Sequence, residues 1–268
     1  MNIDELRNRP HLSASSVNDY IDCGLQYKFG RVDNLPREYS PDTMEYGSAI
    51  HRTLADFYQE KMIGNTLSLP DIQALFEKHW KQAAQVIPYL RYSTGKNFTI
   101  LLNEGKELLK AYYENVSDEG FTTIAIEEPV GFYINGLDVP IVGYIDLMEE
   151  DDAGTLIITD WKTSGKAYSL KDINTNMQLT IYQMAMKAMG HTGEILLKLD
   201  VLIKTKQPKF EPYYTSRTQE DEKRVIKKIQ AVWQGIQKGV FIPNDTSWKC
   251  YGCVYKTYCN NYFLEEAI

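Results

Sequence analysis

The hydrophobic period of this chain first changes at Phe121, and that change limits the fold more than any other feature of the sequence. Before it, apolar residues recur at helical spacing. A helix is predicted over 13–29, opened by the N-capping cluster Ser13-Ala14-Ser15-Ser16 and carrying Val17, Tyr20 and Ile21. A second fits 42–63, with Ala49, Leu54, Phe57 and Tyr58 near one stripe, and a third fits 71–86, with Pro88 just beyond its end. A fourth fits 97–116, where Leu101, Leu102, Leu108, Leu109, Tyr112 and Tyr113 share a face.

After the change, β-formers dominate. Strands are predicted at Phe121–Ile126 and Phe132–Ile134, then a hairpin turn at Asn135-Gly136, then a strand from Leu137 to Met148. Glu149-Glu150-Asp151-Asp152-Ala153-Gly154 reads as an acidic turn before a strand at Thr155–Trp161. A helix over 172–189, strands over 194–204 and 209–215, and a helix over 218–238 follow; Glu220, Asp221 and Glu222 suit the positive end of that last helix. The order predicts an α/β domain with a mixed sheet and no linker. We read 1–268 as one domain: a helical portion (1–118), a sheet core (119–240) and a Cys-rich tail (241–268).

At 268 residues the chain can bury roughly 70–75% of its unfolded surface without disulfides. No apolar run reaches membrane-spanning length and the N-terminus carries early acids rather than a secretory pattern, so a cytoplasmic protein is expected. The net charge of −7 excludes coating nucleic acid by bulk electrostatics but not a local basic groove around an acidic site. Lys198 to Lys209 holds four lysines, and Lys223-Arg224-Val225-Ile226-Lys227-Lys228 four positive charges; each is either a strand-tracking surface or an ordinary solvated face. Most of the 19 tyrosines are expected to be packing residues.

The chemistry centres on Asp146, in the apolar Gly143-Tyr144-Ile145-Asp146, and on Asp160-Trp161-Lys162 at the end of the next predicted strand. Two carboxylates on adjacent strands make a hard, oxygen-rich site suited to Mg²⁺ or Mn²⁺. Lys162, two residues from Asp160, shares its face and can orient a water or stabilise phosphate charge. Taken alone, D-x-K is a weak motif and describes many solvent-facing strand ends. His51 in a helix, and Gln178 and Tyr182 four apart on one helix face, are individually ordinary. The cysteines are more specific. Cys250-x2-Cys253-x5-Cys259 in the tail, with Cys23, reads as a four-thiolate zinc site or an iron–sulfur cluster before it reads as disulfides.

The ordered set Ser13…Ser16…Tyr20…Cys23, Gly47-x3-His51, Gly143-x2-Asp146, Asp160-x-Lys162, Gln178-x3-Tyr182 and Cys250-x2-Cys253-x5-Cys259 resembles the RecB-type nuclease family of the PD-(D/E)XK superfamily. Within it, the sequence is most similar to the iron–sulfur subgroup that includes the AddB nuclease domain and CRISPR-associated single-domain exonucleases. Each motif is weak alone; six in order, from Ser13 to Cys259, are strong. The resemblance implies a restriction-endonuclease-like mixed sheet flanked by helices. It implies that His51, Asp146, Asp160 and the backbone carbonyl of Trp161 hold a divalent metal, that Lys162 is the catalytic lysine beside Asp160 and Asp146, and that Gln178 and Tyr182 help hold the DNA strand. It further implies that Cys23, Cys250, Cys253 and Cys259 hold a 4Fe-4S cluster clamping the tail to the N-terminal helix. Two departures are Gly24, where Pro is usual after the first cysteine, and Ile145-Asp146 in place of Pro-Asp.

The implied activity is metal-dependent DNA exonuclease action on single strands or duplex ends, in recombination, repair, phage DNA processing or CRISPR adaptation. With no GxxxxGK[ST] motif, any helicase motor is expected to come from a partner. The alternatives are a non-catalytic DNA-binding or adaptor module with a structural four-cysteine site, and an endonuclease of the same fold.

Overall fold

The computed structural model describes residues 3–85, 89–117 and 120–264. Five strands form a mixed sheet in sequence order: β3 (Phe121–Tyr133), β4 (Pro140–Asp151), β5 (Leu156–Ser164), β6 (Ile195–Ile203) and β7 (Lys209–Thr215). All neighbours are antiparallel except β5 and β6, which are parallel and joined through α7 (Leu170–Asn174) and α8 (Met177–Ala188). A parallel pair needs such a crossover, because a tight turn reverses the chain. The N-terminal part supplies α1 (Ile3–Arg7), α2 (Ala14–Asp22), α3 (Gly24–Tyr27), α4 (Asp42–Met62), α5 (Leu69–Ala83) and α6 (Phe98–Asn115). β1 (Ser40–Pro41) and β2 (Leu90–Arg91) form a small parallel pair. The chain closes with α9 (Gln219–Gln237) and α10 (Lys256–Leu264). This is the restriction-endonuclease-like arrangement expected from the sequence. None of the described helices is long and apolar enough to cross a membrane.

Each sheet face carries its own core. On one, α2, α8 and α9 bury Val17, Leu179, Ala185 and Ile229 against Ile158, Leu197 and Val201. On the other, α4, α5 and α6 bury Tyr46, Leu54, Phe76, Trp80 and Leu109 against Leu147, Trp161 and Leu202. Strands covered on both sides read as continuous apolar runs, and β6, ILLKLDVLI, is one with two charges in it.

Those charges correct the reading of 198–209 as a basic stretch. Lys198 is buried, with Nζ 3.1 Å from Oδ1 of fully buried Asp200. Burial works against its ammonium, but Asp200 and Glu149 outweigh it and hold the lysine pKa up. Glu149 is likewise buried in β4, which runs on to Asp151, so the acidic turn is shorter than predicted and closes at Gly154.

Other boundaries moved for local reasons. The first predicted helix breaks at Cys23, whose extended backbone (φ −162°, ψ 107°) caps α2; α3 and a π-helical turn at Lys28–Val32 follow. The helix predicted over 172–189 is two, each with its own N-cap, Ser169 and Asn176. The two strand pieces before the hairpin are one strand, β3. Asn135-Gly136 does turn the chain, with Gly136 at φ 84° and Leu137 N–H donating to Ile134 O, but pairing resumes only at Tyr133 and Pro140. The third predicted helix ends at Ala83; its expected end at Val86 and the stop at Pro88 lie outside the described residues, as do 265–268 of the tail.

One contact fixes α5 on α6. A Cβ at Gly105 would lie 2.0 Å from Phe76 Cε1, and Phe76 is fully buried, edge-on to Tyr46. Gly105→Ala gains helix propensity of about 1 kcal/mol but overpacks a ring with nowhere to go. A net loss of about 1–3 kcal/mol is expected, read as a lower melting temperature; a higher one would show that the interface yields.

Candidate active site

The site forms where β4 and β5 part. Their ladder runs from Glu150–Leu156 to Leu147–Thr159 and stops there. One residue further lie Asp146 and Asp160. In place of a ladder bond, the Asp146 carboxylate accepts the Trp161 backbone N–H at 2.7 Å. β3 is interrupted at the same level: Ile126 pairs with Leu147 and Glu128 with Ile145, while Glu127, with φ 50°, takes no paired position. A left-handed backbone at a non-glycine residue is strained. Here it places a carboxylate at the site: ligand atoms of His51, Glu127 and Asp146 lie within 4.8 Å of one another.

α4 brings His51 in from the side. Its Nδ1 is 3.5 Å from Asp146 Oδ2, and its ring stands edge-on to Trp161. Burial alone would lower its pKa, but the hydrogen bond and charge of Asp146, with the charge of Asp160, outweigh burial and raise it. The Trp161 side chain belongs to the core, stacked on Tyr58; its part in the site is played by its backbone.

Asp160 is fully buried. Its Oδ2 lies 2.5 Å from Lys162 Nζ, while Oδ1 receives no hydrogen bond among the described residues. Burial pushes its pKa up to about 6; Lys162 opposes that shift and Asp146 adds to it. Lys162 is itself held charged, since Asp160 and Asp146 overcome its desolvation. A buried carboxylate oxygen without a donor is costly, and a cation relieves it. Two buried carboxylates, a third close by and one imidazole are a donor set for a small hard divalent ion such as Mg²⁺ or Mn²⁺. The residues present fit that ion.

α8 closes the opposite side. Lys162 Nζ donates to Gln178 Oε1 at 3.0 Å, Gln178 Nε2 donates to the Tyr182 hydroxyl at 2.5 Å, and that hydroxyl donates to the Tyr144 carbonyl. The i, i+4 pair thus aims Lys162 and anchors on β4. Gly143 makes room for it, since a Cβ there would lie 3.3 Å from Tyr182 Cε1. The sequence reading placed Gln178 and Tyr182 against the DNA strand; here their polar groups are engaged by Lys162 and β4.

Three groups escaped the sequence reading. Glu127 left a trace as an acid inside an apolar strand, but its approach to Asp146 depends on one residue's φ. Arg7 and Arg31 left none. With His11, Ser13 and Ser15 they line a cleft of about 390 Å³ that reaches Asp146 and Gln178, and Arg7 Nη1 donates to the Tyr144 hydroxyl at 2.6 Å.

The four cysteines line a cavity separate from the cleft at the carboxylates. Cys23, Cys250, Cys253 and Cys259 are free thiols lining one cavity of about 370 Å³, with Phe29 and Tyr255. Burial raises the pKa of Cys253 and of Cys259, and the other thiols nearby raise both further. The tail docks on the N-terminal segment through Lys249–Asp22 at 2.5 Å, Asn244 Nδ2 donating to Asp22 O at 2.8 Å, and Thr257 N–H donating to Glu38 Oε1 at 2.7 Å. The departure at Gly24 has a steric reason here: a Cβ would lie 2.8 Å from the Ile242 backbone nitrogen.

Paired carboxylates and a lysine thus lie at the mouth of the parting central strands. The sequence profile of the PD-(D/E)XK nuclease superfamily matches residues 11–260, and the chain belongs to that superfamily. A crystal structure of a candidate exonuclease from Eubacterium rectale shares the fold, with a TM-score of 0.58 at 9% identity over 90% of this chain and 87% of that one. The crystal structure of SSO0001 aligns over 97% of this chain and 92% of its own at 15% identity, with a TM-score of 0.43. No curated protein matches the sequence.

Proposed function

We propose that the protein is a divalent-metal-dependent deoxyribonuclease of the RecB type, acting as an exonuclease on single-stranded DNA or duplex ends. The observation that carries this reading is the buried pair Asp146 and Asp160, with no donor to Asp160 Oδ1 among the described residues and Lys162 2.5 Å from Oδ2. His51, Asp146, Asp160 and the Trp161 carbonyl would hold Mg²⁺ or Mn²⁺, with Glu127 beside them. A cation there supplies charge neutralisation for the phosphate and acidifies a water. Lys162, kept charged and aimed by Gln178 and Tyr182, orients the attacking water and stabilises the phosphate as negative charge builds. The cleft lined by Arg7, His11 and Arg31 leads the strand to the carboxylates. Of the four lysines from Lys198 to Lys209, Lys206 and Lys209 are exposed, whereas Lys223, Arg224, Lys227 and Lys228 all face solvent on α9. The chain would work in the cytoplasm as one nuclease unit, with a partner's motor where duplex must be opened, in recombination, repair, phage DNA processing or CRISPR adaptation.

We also assign a 4Fe-4S cluster to the four cysteines. The convergence of all four thiols on one cavity between the N-terminal segment and the tail supports this.

End-labelled single-stranded DNA should be degraded with Mn²⁺ or Mg²⁺ and left intact in chelator, while a circular single strand should survive. Cleavage of the circle would make the enzyme an endonuclease; no cleavage of either would leave a binding module. His51→Ala should raise the Mn²⁺ concentration needed for half-maximal rate by about tenfold or more, since the loss of supporting groups at metal sites typically costs 10–100-fold. Because the His51 pKa is raised and a ligand imidazole must be neutral, Mn²⁺ affinity should weaken as pH falls, and that weakening should be smaller in His51→Ala. An unchanged Mn²⁺ requirement in the variant would remove His51 from the ligand set.

A further inference from the structure

A cavity of about 520 Å³ opens between the start of α4, the segment after β2 and the far ends of β5 and β6. Both carboxylates that line it are already engaged. Asp42 accepts the Ser93 N–H and hydroxyl at 2.8 and 2.7 Å, and Glu104 pairs with Lys96 at 2.5 Å. Two lysines on its wall have no carboxylate partner among the described residues, Lys204 and Lys206. The Lys204 ammonium lies 5.0 Å from the centre of the Tyr46 ring, and burial pushes its pKa down despite the pull of Asp42 and Glu104. Tyr46 is 1% exposed, and its buried hydroxyl has no hydrogen-bond partner among the described residues. A partly desolvated cation, a second unpaired cation and an orphaned hydroxyl donor all lack the same thing, an anion that accepts hydrogen bonds.

We propose that this cavity binds a phosphate group of the DNA strand, held by Lys204, Lys206 and the Tyr46 hydroxyl. The inference rests on the nuclease reading and extends it to a second phosphate contact away from the scissile bond. The placement suits that role. Tyr46 precedes His51 by five residues on α4, about 7.5 Å along the helix axis. Lys204 N–H donates to the carbonyl of Ser164, two residues beyond Lys162 on β5, at 2.7 Å. α4 thus borders both sites, and the end of β6 that carries Lys204 is bonded to the end of β5 just beyond Lys162, which puts the cavity next to the carboxylates. The phosphate is either the strand's terminal monoester or an internal diester; both present anionic oxygens that accept from these three donors, the monoester with more charge.

The test measures equilibrium binding of a 3′-labelled 12-nucleotide single strand in chelator, where nothing is cut, over a series of salt concentrations. Two oligonucleotides are compared, one with a 5′-phosphate and one with a 5′-hydroxyl. The variants are Lys204→Gln, Lys206→Gln and Tyr46→Phe, with Lys78→Gln on exposed α5 surface as a charge-matched control. Lys204→Gln should weaken binding about tenfold, as the loss of a charge-assisted hydrogen bond does. It should also lower the slope of log Kd against log salt by about 0.7, one phosphate contact on a single strand. Tyr46→Phe keeps the ring and its packing, so it should weaken binding with the slope unchanged. Loss confined to the 5′-phosphorylated strand identifies the terminal monoester; equal loss on both identifies an internal diester. If all three variants bind like the parent and the control, the cavity is not a phosphate site. A parent that neither binds nor degrades DNA would instead overturn the nuclease reading and this inference with it, so the two failures are distinguishable.

Discussion

Asp160→Asn is expected to abolish cleavage, by about 10²–10³-fold or more, while making the metal-free protein more stable. The catalytic loss follows from the site: the substitution removes a carboxylate from the cation's cradle and the counter-charge that positions Lys162. The gain in stability follows from burial. Burial pushes the Asp160 pKa up to about 6 from an ordinary value of 3.8, with Lys162 opposing the shift. Between those values the native state binds more protons than the unfolded one, so this group's contribution to stability falls as pH rises from about 4 through about 6. Above that window the parent holds a buried charge at a cost on the order of 3 kcal/mol, and the amide does not. In chelator at pH 7.5 the variant should therefore melt several degrees above the parent, and the advantage should vanish near pH 4. Mn²⁺ should raise the parent's melting temperature and leave the variant's almost unmoved. A variant that still degrades DNA with Mn²⁺ would remove Asp160 from the chemistry. A variant that melts below the parent in chelator at pH 7.5 would show that the Lys162 pair outweighs the desolvation.

Cys253→Ser should do the opposite, losing stability first and activity only as a consequence. Cys253 sits half-buried beside Cys23, packed with Leu25, Phe29 and Tyr255. The polar ties of the tail are few and exposed: the Lys249–Asp22 pair spans 227 residues, but each of its side chains is nearly half exposed. Exposed pairs of this kind contribute roughly 0–1 kcal/mol. A cluster bridging the same separation constrains the unfolded chain far more, by about 5 kcal/mol on the loop-closure estimate for cross-links of this span. Its loss should lower the melting temperature by on the order of 10 °C in protein prepared without oxygen, with loss of iron, labile sulfide and brown colour. Stoichiometric zinc without sulfide in the anaerobic parent would replace the cluster with a zinc site. Unchanged melting with lost activity would move the cysteines from architecture into chemistry.

The class of fold was legible in the sequence, and so were two of the acids that the fold brings together, Asp146 and Asp160. The change of period at Phe121 separates the helices that cover the sheet from the strands that form it. Asp146 and Asp160 stood out because a charge in an otherwise apolar strand needs a reason. Their approach also followed from the order of elements, since consecutive strands are usually neighbours. What pattern could not supply was everything set by one residue's backbone or by contact across the chain. Nothing local marks Glu127 as left-handed; only the finished sheet, with Asp146 unpaired between two ladders, holds it there. Lys198 reads as a surface cation until β5 and β7 flank it and Asp200 neutralises it in the interior. The break at Cys23 waits for the tail, and Gly24 waits for the Ile242 backbone that presses on it. Tyr46 and Lys204, 158 positions apart in the sequence, share a cavity wall only because α4 lies over the ends of β5 and β6. Periodicity records which face of an element is apolar. Which charge meets which, and which hydroxyl is left without a partner, is decided by packing between elements whose sequences carry no trace of one another.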